Sequence, residues 1–254
     1  METMKRLFWV YRAIVLGVII LGWELIVRLE VVDAFFLASP IQILSCMDSV
    51  MGKPGFPQAF LVTLIEIVTA FALAASFGLV IGMIIGLWDH FYHSTYGIIL
   101  LLYGIPKLTI IPLFVLYFGI GINCRIAFGA ASGFFPILLN TIAGARSVEP
   151  SVLIMSHSMG ATPFQMFTKI IFPSILPSAF TGLRLGMNHT LLGVVLAELF
   201  FSQRGGMGYY INLLTSSFKT DELFAIVVVV AAIAILANQV LLKLERHFSL
   251  WQEV

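Results

Sequence analysis

The sequence predicts an all-α integral membrane protein with six membrane-crossing helices, and three observations carry that reading. Of the 254 residues, 60% are hydrophobic and only 11% charged, against about 25% charged in ordinary soluble domains. The mean hydropathy is +1.03, more apolar surface than one soluble core could bury. The apolar residues also fall into separate runs of roughly span length, divided by segments rich in proline, glycine and charge.

A crossing helix needs about 20 predominantly apolar residues to traverse about 30 Å of hydrocarbon. The first such run is 8–27. Lys5, Arg6 and Arg12 lend it the look of a secretory leader, but Gly22-Trp23-Glu24 stands where a small-residue cleavage site would fall, so it reads as a retained anchor. Residues 30–57 hold Glu30, Asp33, Pro40, Asp48, Lys53, Pro54, Gly55 and Pro57, a polar connection with one short helix near 42–51. The second span is 59–87 and the third 95–118, the latter expected to kink at Pro106 and Pro112. The fourth is 126–142. Residues 143–174 are amphipathic and broken at Gly160 and Pro163, which predicts two short surface helices with a bend between them. The fifth span is 175–201 and the sixth 223–242, joined by 202–221, which reads as a loop whose glycines permit a tight turn or a re-entrant segment.

Charge bounds both orientation and function. With 14 Lys+Arg against 13 Asp+Glu, the net charge of +1 supplies no basic field for nucleic acid. A cytoplasmic N-terminus collects Lys5, Arg6, Arg12, Arg146, Lys169, Lys243 and Arg246 on the inner side. It leaves Arg28, Lys53, Arg125, Arg204 and Lys219 outside. That weak excess places 143–174 and both termini in the cytoplasm. Cys46 and Cys124 are too few for a disulfide framework or a thiolate metal site. Phosphate-loop, zinc-hydrolase, nucleophile-elbow and dinucleotide motifs do not occur, so ATP-driven work would have to be powered by another chain. Ser76, Ser132, His157 and His189 suggest no nucleophile–base pair, which argues against a membrane hydrolase.

An ionised group at mid-bilayer costs about 2.5–3.5 kcal/mol on insertion scales, so the intramembrane polar residues should face protein or water. Arg184, Asn188 and Glu198 fall within about 80° of one another at 100° per residue, with Thr181 close by, forming one stripe. The stripe is either a pathway lining or an interhelical network, and periodicity leaves both open. Glu198 would then cap or gate the outer end, with Asn188 and Arg184 lining the passage or bracing it. His189 lies off the stripe and reads as packing, whereas Lys107 reads as snorkelling or as lining a cavity, with snorkelling favoured. Gly78, Gly82 and Gly86 recur every four residues, as do Gly129 with Gly133 and Gly182 with Gly186, a spacing that lets helices approach closely. Such close packing suits a transporter core and a purely structural membrane subunit alike.

From about residue 63 to 251 the chain resembles the permease subunits of binding-protein-dependent ATP-binding cassette importers. The branch is that of the sulfonate, taurine, nitrate and thiamine-precursor permeases. The phrases carrying the resemblance are GIPKLTIIPLFVLYFGIG at 104–121, GFFPILLNTIAGARSVEP at 133–150, GATPFQMFTKIIFPSILPSAFTGLRLG at 160–186, VVLAELF at 194–200 and GMGYYI at 206–211. The resemblance implies a type I importer fold with a cytoplasmic coupling helix that docks on a separate ATPase. Carried over, Gly160 is the motif glycine, and Ala161, Thr162, Pro163, Phe164, Gln165, Met166 and Phe167, continuing to Lys169, form the coupling segment. Phe172-Pro173 and Leu176-Pro177 stand where the family's Leu-Pro pairs fall. Two departures matter: Ile154-Met155-Ser156-His157 replaces the motif's Glu-Ala-Ala-Arg, which alters docking electrostatics, and Glu66 stands where many relatives carry Arg.

The implied organisation is an N-terminal helix and external loop at 1–57, the transporter domain at 58–243 and a cytoplasmic tail at 244–254. The implied partners are ATPase subunits that bind ATP and magnesium, a second permease identical or different, an external solute-binding protein, and lipid. No cofactor is expected in this chain. An ion-driven secondary transporter is the alternative, disfavoured because the spans show no inverted repeat.

Overall fold

A computed structural model of the chain describes residues 2–33, 35–201 and 205–248, except for the side chains of 2–6, 8 and 9. The expected tail at 244–254 therefore lies outside the described residues beyond 248, and 202–204 of the expected 202–221 loop likewise.

The first long helix, α1 (Glu2–Arg28), is followed by α2 (Pro40–Met51), where the expected short helix falls. Ser39 starts it with a capping box: its hydroxyl accepts from the Gln42 N–H while the Gln42 side chain accepts from the Ser39 N–H, and Pro40 occupies the first turn. Gly55 at φ 88° turns the chain into α3 (Phe56–Leu87).

The third expected span differs most from a kinked rod. It consists of α4 (Asp89–Tyr103), a 3-10 turn (Lys107–Ile110) and α5 (Ile111–Phe118), and the two halves meet at 90°. Gly104 ends α4, and Pro106 has no N–H and keeps Ile105 out of the helical region, so the ladder stops rather than bends. Gly119 (φ 69°) and Gly121 (φ 155°) then reverse the chain into α6 (Ile122–Arg146).

The connection at 147–162 contains one free-standing helix, α7 (Pro150–Ser158), and Gly160 at φ 80°. The second expected surface helix is not separate. Thr162, with its own capping box to Gln165, opens a continuous helical run of 38 residues, Pro163–Phe200. It comprises α8 (Pro163–Met166), a π turn (Phe167–Ile171) and α9 (Phe172–Phe200). The π turn sits where Pro173 and Pro177 cannot donate to the ladder and crowd the carbonyls four residues earlier. Within 205–219 the expected loop is instead mostly helix, α10 (Met207–Ser216), before α11 (Thr220–Phe248).

The glycine rows set the topology. A Cβ on Gly78 would lie 2.8 Å from Ile137, on Gly82 2.7 Å from Thr141, and on Gly86 2.5 Å from Ala145, so α3 and α6 run parallel in contact. On α6, Gly129 meets Val194, Gly133 meets Thr190 and Gly144 meets Ser178, an antiparallel seam with α9. These rows pack helix against helix inside the chain, at the spacing that reads as close approach in the sequence. Parallel α3 and α6 also require the bent α4–α5 pair to carry the chain back across. Among the described residues the bundle therefore has five long apolar helices and one broken crossing. α7, the end of α11 and the α3–α4 corner share one end, called the loop end below. There Arg146 pairs with Asp89, and Phe180 of α9 stacks near Phe248 of α11.

Candidate functional site

Arg184, Asn188 and Glu198 share a face of α9 by periodicity, yet the fold gives each a different environment. Arg184 Nη1 donates to Glu245 Oε2 on α11 at 2.6 Å. It lies about 24 Å along the helix from Phe200, near the loop-end edge of a hydrocarbon layer about 30 Å thick. Asn188 is exposed and makes no side-chain hydrogen bond to the described residues. Glu198 is buried at 1% exposure, enclosed by neighbouring helices, while Arg184 keeps 26% of its side chain exposed beside Glu245.

Glu198 instead anchors a buried ionic knot at the opposite end. Thr63 of α3 donates to Glu198 Oε1 at 2.6 Å and accepts the Met207 N–H at 2.9 Å, while the Gly208 N–H donates to Glu198 Oε2 at 2.8 Å. The first two amides of α10 thus find their acceptors in a carboxylate and a hydroxyl from other helices, a favourable pairing of an acid with a helix N-terminus. Beside it, Arg125 Nη2 of α6 lies 2.9 Å from Glu66 Oε1 of α3, with Glu66 at 0% exposure. Arg125 also reaches the Gly205 carbonyl at 3.4 Å. Two carboxyls and one guanidinium therefore tie α3, α6, α9 and α10 together. Gly208 permits this approach: a Cβ there would sit 2.4 Å from the Glu198 Cβ. Glu66, singled out in the sequence, is thus the partner of Arg125.

Lys107, read from sequence as snorkelling or lining a cavity, and His189, read as packing, meet in one place. A cavity of about 430 Å³ opens at the break between α4 and α5, lined by Tyr103, Lys107, Ser132, His189, Leu192 and Leu196 among others. The Lys107 Nζ donates to the Ser132 carbonyl at 2.9 Å and lies 5.5 Å from the centre of the Tyr103 ring. No carboxylate among the described residues pairs with it. His189 Nδ1 contacts the Leu185 carbonyl at 2.8 Å; a carbonyl only accepts, so that nitrogen carries the proton. Sequence reasoning missed this site because Lys107 and His189 are 82 positions apart, and only the 90° break brings them together.

At the loop end the coupling residues fall on both sides of Gly160. Phe164 is 76% and Met159 85% exposed, with Ile154 and Met155 exposed beside them on α7. Gly160, Thr162, Pro163, Phe164, Gln165 and Phe167 are exposed; Ala161 and Met166 are partly covered. The apolar surface therefore spans α7 and the first turn of α8, wider than the 161–169 segment read from sequence.

The family model for the inner-membrane component of binding-protein-dependent transport systems matches residues 78–250. The taurine transport system permease protein of Escherichia coli is 31% identical, over 93% of this chain and 87% of its own length. A putative aliphatic sulfonates transport permease of Bacillus subtilis is 29% identical over 98% and 90%, and the nitrate import permease of Synechocystis 25% identical over 92% and 86%. A match of that extent, on a bundle whose broken third crossing and exposed interhelical loop are both built from the matched residues, settles the assignment. The chain belongs to the family of binding-protein-dependent transport system inner membrane components, and is a multi-pass permease subunit of an ATP-driven importer, not itself an enzyme.

Proposed function

We propose that the loop end faces the cytoplasm and that α7 with the first turn of α8 seats in a groove of a separate ATPase subunit. Two permeases then enclose the solute pathway, and an external solute-binding protein delivers cargo to the opposite end. The observation that carries this reading is the exposed Ile154, Met155, Met159 and Phe164, an apolar surface at a chain corner formed by α7 and the capped start of α8. Burial of an amphipathic helix in a partner's groove is the recurring use of such a surface. Because Phe164 begins the same helical run that ends at Glu198, a push received at the loop is delivered along about 50 Å of helix to the opposite end. The missing acidic residue of the docking motif leaves apolar contact to do most of the holding. The solute is a small molecule of the kind the relatives are named for: a sulfonate, nitrate or a vitamin precursor.

Cysteines placed at Ile154, Met159 and Phe164 in the assembled complex should crosslink to the ATPase, and Phe164→Asp should release it. Failure of every position to crosslink in an ATP-hydrolysing complex rejects this docking surface.

A further inference from the structure

The cavity at the broken crossing holds a charge that no described residue neutralises. Among the described residues Lys107 reaches only a backbone carbonyl and an aromatic face, each a weak partner for an ammonium, and no acidic side chain stands opposite it. His189 adds a ring nitrogen, Nε2, with no partner among the described residues. The depth is intermediate: Ser132 lies about 15 Å along α6 from Ile122, and His189 about 16 Å along α9 from Phe200, each near the middle of a layer about 30 Å thick. An unpaired ammonium at that depth is costly against lipid and tolerable against water or an anion. The cavity is also of a size for a small solute, about 430 Å³, with Leu108, Leu192 and Leu196 supplying apolar wall.

We propose that this cavity is an anion-binding station on the solute pathway, taking a small sulfonate, carboxylate or nitrate, with Lys107 as the residue that recognises the negative charge. The inference rests on the permease reading and narrows it from small solutes to small anions. Lys107 supplies the ammonium, Tyr103 holds it over the cavity, and the leucines accept a short organic tail. The break between α4 and α5 is what makes the station possible, because a straight third helix would carry Lys107 along its own axis rather than toward α6 and α9. The station's wall at His189 and Leu192 belongs to the helical run that starts at the ATPase-facing loop, so a shift of that helix changes the cavity directly.

The test uses the assembled complex of permease, ATPase and binding protein, with Cys46 and Cys124 replaced by serine and Leu192→Cys introduced on the cavity wall. Two thiol reagents of similar size are compared, sulfonatoethyl methanethiosulfonate (anionic) and trimethylammonioethyl methanethiosulfonate (cationic), each rate normalised to that with free mercaptoethanol. The anionic reagent should react at least about tenfold faster, since one nearby charge attracts one reagent and repels the other. That preference should collapse in Lys107→Gln, persist in Lys107→Arg, and the anionic reaction should be slowed by ethanesulfonate but not by ethyl methyl sulfone. A preference unchanged by Lys107→Gln, or no reaction with either reagent, overturns the station. Binding-protein-stimulated ATP hydrolysis, read in the same samples, reports separately on whether the chain works as a permease at all.

Discussion

Arg125 carries the strongest single-residue consequence in the fold. It is the cation among Glu66 and Glu198, and its removal leaves two buried carboxyls without a counter-charge. Breaking a buried pair by deleting one partner costs about 3–5 kcal/mol, whereas replacing both partners with apolar residues is often neutral. Arg125→Leu should therefore lower the thermal unfolding midpoint of the detergent-solubilised complex sharply, and Arg125→Leu with Glu66→Leu should recover much of it. A double variant as unstable as the single one would show that charge balance is not what the pair supplies. Neither Glu66 nor Arg125 stands out in the sequence as a partner of the other, because 59 positions separate them, Glu66 inside the second apolar run and Arg125 just before the fourth. Periodicity could group Arg184, Asn188 and Glu198 on one face but could not say which neighbour that face meets at each level.

At the scale of elements, the α3–α6 seam is set by backbone proximity. A Cβ on Gly82 would stand 2.7 Å from the Thr141 Cβ and 3.0 Å from the Leu138 carbonyl, and the carbonyl cannot move without the helix. Gly82→Leu should force the helices apart, with an overpacking cost of at least about 1–3 kcal/mol, seen as loss of the complex in size-exclusion chromatography. Gly97 faces open space, so Gly97→Leu should leave assembly intact. The four-residue spacing was legible as a close-packing signal, but not its partner. The helix α10 was not legible at all: its sequence opens with glycines, and the acceptors for its first amides come from Glu198 and Thr63 on other helices. A cap supplied through space leaves no mark on the local sequence.

For the whole molecule, topology decides which surfaces meet which compartment. Both α3 and α6 arrive at the loop end, α9 leaves it and α11 returns to it, so the 147–162 connection and the end of α11 share a side. With that side cytoplasmic, a membrane-impermeant maleimide should label Asp48→Cys in intact cells, in a background lacking Cys46 and Cys124. It should label Ser158→Cys only after permeabilisation. The reverse pattern would invert the orientation and detach the exposed apolar loop from any cytoplasmic ATPase.

The number and rough position of the crossings, the bend at Gly160 and Pro163, and the class of the protein were determined by the sequence alone. The transfer of an apolar run into hydrocarbon is a sum along the chain, and glycine and proline act on their own backbone. The right angle in the third crossing, the division of the α9 stripe between a surface pair and a buried knot, and the meeting of Lys107 with His189 were decided only by the tertiary structure. The physical reason is that a polar group in a bundle takes its state from whatever lies opposite it. What lies opposite depends on how several helices settle against one another, a property that no window of the sequence contains.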